Sequence, residues 1–451
     1  MSSRAPRLAA LALLLPACSA DVNDGSVDPA VTLRVSVSAA GEEANRECRN
    51  PDVTPDGRYV VFESAASNLV PGDVNGKVDI FRKDLRTGEI LLVSVGTAGE
   101  QGDGDSTNPS VSEDGTRVAF VSVATNLAPT DGVEFTDVYV RKIPESETIH
   151  VSQAALGGLP SHLGNQPQSG QARLSPDGNF VVFVSNGEDL DGTNPNYSFD
   201  FQVFLHDLGT SETRTMSVRP DQTPAEAESA RPDVSRDGLF VVFSSTATDI
   251  APGDANEAED VFLRDVLGES TQRLSVEHPS NPDGLPDGEN SNGGSRNPRV
   301  TPDGRFVAFE SSATDLTVGA QNSETAVFRL DRSTGEMRLV SRGVAGGAAA
   351  NGARDAVLTP DGRFVAFWSL ASNHVAGDTN NRADQFWHDT RRGTTYRVSV
   401  RTGGGQTFLD SVGRPAIIAD GRFVVFASEG SDLAVGDTNG VSDVFIRGPL
   451  H

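Results

Sequence analysis

VTPDGRYVVF, residues 53–62, is a complete β-hairpin. Asp56-Gly57 supplies the tight turn, because glycine reaches the positive backbone angles such turns require and aspartate bonds its own backbone. The apolar run that follows, Val60, Val61 and Phe62, has no polar face. It therefore suits a strand covered on both sides. The phrase returns six times, as VSEDGTRVAF (111–120), LSPDGNFVVF (174–183), VSRDGLFVVF (234–243), VTPDGRFVAF (300–309), LTPDGRFVAF (358–367) and IADGRFVVF (418–426). The turn aspartates, Asp56, Asp114, Asp177, Asp237, Asp303, Asp361 and Asp420, lie 58 to 66 residues apart. A period of this length marks a supersecondary unit that buries its faces only against copies of itself.

Each unit holds four short runs rich in β-branched or aromatic residues. In the first they are 51–54, 58–64, 79–85 and 89–95, with Arg86-Thr87-Gly88 closing the second hairpin. Four strands per unit and seven units predict an all-β chain, a seven-bladed β-propeller of four-stranded antiparallel blades. Six units are followed by their own outer strand, at 90–95, 148–152, 213–218, 271–276, 337–341 and 396–400. The seventh stops after DVFIR, 443–447, and TLRVSVS at 32–38 precedes the first unit. The N-terminal strand is therefore expected to complete the last blade and remove two aggregation-prone edges.

The turn TPDGRFVAF (301–309) and the strand DVFLRD (260–265) resemble the WD-like propeller repeat of TolB-type periplasmic proteins. The resemblance implies a propeller working outside the cytoplasm. It specifies fold and not activity.

Residues 1–18 read as a signal peptide: Arg4 and Arg7, an apolar stretch too short to span a membrane, then Leu15-Pro16-Ala17-Cys18. The last four residues resemble a bacterial lipobox, which makes Cys18 a lipidation site; cleavage after Ala20 is the alternative. Ser19, in place of aspartate, implies the outer membrane by resemblance to Gram-negative lipoproteins. Residues 19–30 form a tether, and 31–451 the propeller. With Cys18 lipidated, Cys48 has no partner for a disulfide and reads as a leftover small residue and not a reactive group. The chain carries 63 acidic and 37 basic side chains, a net charge of −26. Such a field repels nucleic acid and anionic lipid, favours cations and basic partners, and also serves solubility. A monomer that meets the membrane only through its lipid is expected.

The Pro-Asp-Gly and Thr-Gly hairpins share one face of the ring. Long connections such as 67–78 and 96–108 occupy the other, the expected recognition face. Four long loops carry Gly-Asp-x-Asn-x-x-x-Asp: Asp73, Asn75 and Asp79; Asp254, Asn256 and Asp260; Asp378, Asn380 and Asp384; Asp437, Asn439 and Asp443. Alternating oxygen donors in a glycine-bearing turn are what Ca²⁺ takes. Turn capping explains the same residues without a metal. The fifth blade has Ala320 and Ala326 at both acidic positions.

A serine follows each strand phenylalanine by two residues: Ser64, Ser122, Ser185, Ser245, Ser311, Ser369 and Ser428. A group repeated around a ring is architecture and no unique nucleophile. His206 and His388 stand where Lys83 and Arg264 stand elsewhere, which reads as a solvated basic position. No GxSxG, HExxH or phosphate loop occurs. The irregular insertions at 156–171, 191–199 and 279–297 contain no recognisable acid-base set. The reading is an extracytoplasmic protein-interaction or scaffolding module of the cell envelope, and not an enzyme. The alternatives are a propeller-type lyase or glycosidase, which needs acids and bases converging on the ring axis, and a calcium-dependent adhesion or matrix protein.

Overall fold

The computed structural model describes residues 30–129, 135–155, 168–192, 200–279, 291–318, 324–347, 349 and 351–450. Seven four-stranded antiparallel sheets form the blades of a propeller. The leader, the tether to residue 29 and most of the three irregular insertions lie outside the described residues.

The second strand of each blade pairs its phenylalanine with an aromatic ring of the third, as in Phe62↔Phe81, Phe243↔Phe262 and Phe426↔Phe445. These rings face one another with centroids 5.9, 5.8 and 5.9 Å apart. A pair of this kind contributes about 0.5–1.5 kcal/mol beyond its buried area, and it recurs in every blade. Neighbouring blades meet at the hairpin turns. The ring of Tyr59 lies under Gly115 of blade two, and Phe306 under Gly362 of blade six, so close that a Cβ on either glycine would meet the ring at 2.2 or 2.3 Å. The turn glycine thus serves two ends at once, a positive φ and a close approach of blades.

The ring closes as the termini predict. Val31–Arg34 pairs antiparallel with the last strand, Asp443–Gly448, in the register Val31↔Gly448 to Arg34↔Phe445. The pairing is shorter than 32–38, because Val35 and Ser36 turn onto the Val444 carbonyl and Val37 and Ser38 pass to blade one. There their carbonyls accept from the Lys83 ammonium at 2.8 and 3.1 Å. One segment therefore fastens the last blade to the first.

The inner strands differ from expectation. In blade one the strand is Cys48–Val53, starting three residues before 51–54. Pro51 cannot donate to the ladder, so the strand reads as interrupted, but a β-bulge absorbs the defect between Arg49 and Asp52. The bulge holds Asn50 at φ 48°. The same position is Asn108, Gln171, Arg231, Asn297 and Asp355 in blades two to six, all at φ 51–56°.

The repeated serines are architecture. Ser64 Oγ donates to the Glu47 carbonyl at 2.8 Å and accepts from the Ala66 amide at 3.0 Å, and each counterpart down to Ser428 repeats both bonds. Cys48 occupies the place of Ser106, Ser169, Ser229 and Ser295, its thiol bonded to Ser64. It is a free, buried cysteine whose pKa is pushed up to about 12 by burial.

Candidate binding face and channel

The Gly-Asp-x-Asn loops all stand on the long-loop face, and their asparagines work as latches. Asn75 Nδ2 donates to Asp79 at 2.9 Å and to the Gly102 carbonyl at 3.0 Å, while its Oδ1 accepts from the Lys77 amide. Asn380 and Asn439 repeat all three bonds, and Asn256 ties its own loop to Ser291. The asparagine thus fixes the loop through both ends of its amide. The last aspartate is fastened as well, since Ser94 donates to Asp79 at 2.5 Å and Ser275, Ser399 and Ser36 do the same for Asp260, Asp384 and Asp443.

Between the two aspartates of three loops lies an arginine from the outer strand of the same blade. Arg273 Nη1 is 2.9 Å from Asp254 and 3.7 Å from Asp260. Arg397 stands 3.0 and 3.6 Å from Asp378 and Asp384, and Arg34 stands 3.2 and 3.5 Å from Asp437 and Asp443. The charge a cation would neutralise there is already met. Sequence spacing could not show this, because the arginine comes from a different strand and, for Arg34, from the other end of the chain. Among the described residues no group of three or more His, Cys, Asp or Glu side chains is arranged to hold a metal.

His206 and His388 are buried and not solvated. They are 7% and 4% exposed, each ring bonded at 2.9 Å to a threonine of the outer strand, Thr213 or Thr395. Burial lowers both to about 4, so the rings are neutral. Their strand position faces an adjoining blade, which a single strand's pattern does not reveal.

The inner strands carry charges that break the sevenfold repeat, and they lie outside the turn phrase on which the blades align. Asp52 and Asp233 bond the next blade's amides, Val111 at 3.0 Å and Val300 at 2.9 Å. Desolvation raises both carboxyl groups, opposed for Asp52 by Arg414 and then Arg299, and for Asp233 by Arg299. These groups sit on blades one, four, five and seven and feel one another across the axis. Arg414 is an extra residue: the bulge of the last inner strand, Ser411–Ile417, is one residue longer than the others. Nearer the long-loop face, Glu63 and Glu310 accept from bulge residues of their own and the next blade, Asn50 with Asn108 and Asn297 with Asp355. Asp52, Asp233 and Arg299 are the fifth residues of their inner strands, and Arg414 is the fourth of the longer last one.

Two clefts open on the long-loop face where blades six and seven meet. One, about 410 Å³, is lined by Arg354, Asp355, Trp368, Leu370 and Asp410 and reaches inner-strand residues. The other, about 500 Å³, is lined by Asn380, Arg382, Arg401 and Phe408. Phe408 and Leu370 are 68% and 45% exposed, and Leu409 stands beside Phe408. Other apolar side chains are exposed elsewhere, Leu267 and Val435 among them, but Leu370 and Phe408 stand at clefts.

No protein-family model matches the chain, and no curated protein matches its sequence. Solved structures do match. An oligogalacturonate lyase from Vibrio parahaemolyticus is 15% identical, with 94% of each chain covered and a TM-score of 0.55. The β-propeller domain of the Trilobed protease from Pyrococcus furiosus is 13% identical over 89% of this chain and 93% of that one, with a TM-score of 0.52. TolB from Acinetobacter baumannii is 14% identical over 88% and 81%, with a TM-score of 0.38. At these identities the likeness is one of fold alone; the seven blades are those of the seven four-stranded sheets of this chain.

Proposed function

We propose that this chain is an exported binding propeller of the cell envelope, seating a protein segment on its long-loop face at blades six and seven. The observation that carries the reading is the pair of clefts, each with an exposed apolar side chain in its lining, Leu370 in one and Phe408 in the other, on the face where long loops gather. The acidic exterior draws basic partners from a distance, and the apolar anchors hold them at contact. The leader and Cys18 supply export and a lipid anchor.

The test is a pull-down from envelope extract with the native chain and with Leu370→Ala/Phe408→Ala. Both side chains are exposed, so melting should be unchanged while recovery of the partner falls about tenfold or more. Equal recovery would move the binding site elsewhere.

A second reading, an enzyme acting in the channel, draws on Asp52 and Asp233 as desolvated acids facing Arg299 and Arg414. It requires turnover of an acidic oligosaccharide that Asp52→Asn abolishes. Absence of turnover with intact partner binding leaves the binding reading alone.

A further inference from the structure

We infer that blade one holds a divalent metal cation between Asp73 and Asp79, in the place that an arginine of the chain fills in three sister blades. The register defines that place. The residue opposite the third-strand phenylalanine is Arg273 in blade four, Arg397 in blade six and Arg34 in blade seven, and in blade one it is Leu92. Blade five shows the neutral solution, with Ala326 for the second acid and Leu339 for the arginine. Acids and arginine are thus lost together there. Blade one has lost the arginine and kept both acids.

Asp73 is 7% exposed and has no hydrogen-bond or ion-pair partner among the described residues; its sisters Asp254, Asp378 and Asp437 each have an arginine within 3.2 Å. Asp79 is fully buried and accepts one hydrogen bond on each oxygen, from Ser94 and Asn75, which leaves a lone pair on each. A largely covered carboxylate beside the buried Asp79, with no counterion between them, is unfavourable unless a cation joins the two or a proton is taken up. A compact ion fits better than a partner's guanidinium, because Leu92 packs where the sister arginines approach. Carboxylate oxygens select the hard cations, calcium first. With only two side-chain ligands, the remainder must be loop carbonyls and water, which sets a weak affinity.

Calorimetry of the purified chain with calcium chloride should find one ion per chain and a dissociation constant of about 10⁻⁴ to 10⁻³ M. Calcium should also raise the melting temperature by mass action. Asp73→Asn should abolish both effects, and Asp378→Asn should leave both unchanged. Leu92→Arg should rebuild the sister arrangement, remove calcium binding and raise the melting temperature of the calcium-free chain. The last variant keeps the test decisive if Asp73→Asn folds poorly. No heat and no melting shift at about 10 mM calcium, or binding that survives Leu92→Arg, would overturn the inference.

Discussion

Gly115 takes φ 71° in its turn, and a Cβ there would lie 2.2 Å from Cδ2 of Tyr59. Gly115→Ala must therefore strain the turn and move a neighbouring blade, at a cost of about 1–3 kcal/mol. Urea unfolding should show the loss as a lower midpoint, and an unchanged midpoint would mean that the blades do not meet at this turn. Buried titrating groups give a second test. Burial holds Asp79, Asp260, Asp384 and Asp437 at about 6 against a usual 3.8, so between pH 4 and 6 the folded chain keeps protons that the unfolded chain has released. Their contribution to stability falls as pH rises through that window. His206, His374 and His388 are held at about 4 against 6.5, and their contribution rises from pH 4 to 6.5. The two sets oppose one another. Replacing His206 and His388 by glutamine should expose the aspartates, making stability drop more steeply from pH 4.5 to 6.5 than in the native chain; parallel profiles would contradict the burial of these rings.

At the scale of elements, what could be read in the chain was whatever repeats locally. The Asp-Gly hairpin, the apolar second strand and the serine two residues past the phenylalanine are all set by neighbours within a few residues, and each stands where the pattern put it. Features that depend on distant partners were not legible. Arg397 is thirteen residues from Asp384, and Arg34 is at the far end of the chain from Asp443, so nothing in either loop announces the guanidinium between its acids. The inner strand of blade one reads short in the sequence because Pro51 interrupts its alternation, and only the bulge at Asn50 restores pairing. That missed stretch contributes residues to the channel, including Asp52. The N-terminal strand was legible by subtraction, as the one strand the seventh unit lacked. Deleting 30–38 should expose the Asp443–Gly448 edge and free the Lys83 ammonium, so the truncated chain should aggregate or melt well below the intact one. A truncation that melts like the native chain would require another closure.

The whole molecule presents two unlike faces, one of minimal hairpins and one of long acidic loops with an apolar edge at blades six and seven. Its attachment is tested apart from its fold: Cys18→Ser should move the chain from the detergent-extracted membrane fraction to the soluble one, and unchanged fractionation would remove the lipid from the account. The ring itself underlies every placement described, since the channel, the clefts and the arginine of blade seven exist only if the first strand completes the last blade. Hydrogen exchange of the native chain reads that directly. The amides of Asp443–Gly448 should exchange as slowly as those of Asp79–Asp84 and Asp260–Asp265, the third strands of blades one and four, because Val31–Arg34 covers them. Rapid exchange at 445–448, as at a free sheet edge, would contradict the closed seven-bladed ring.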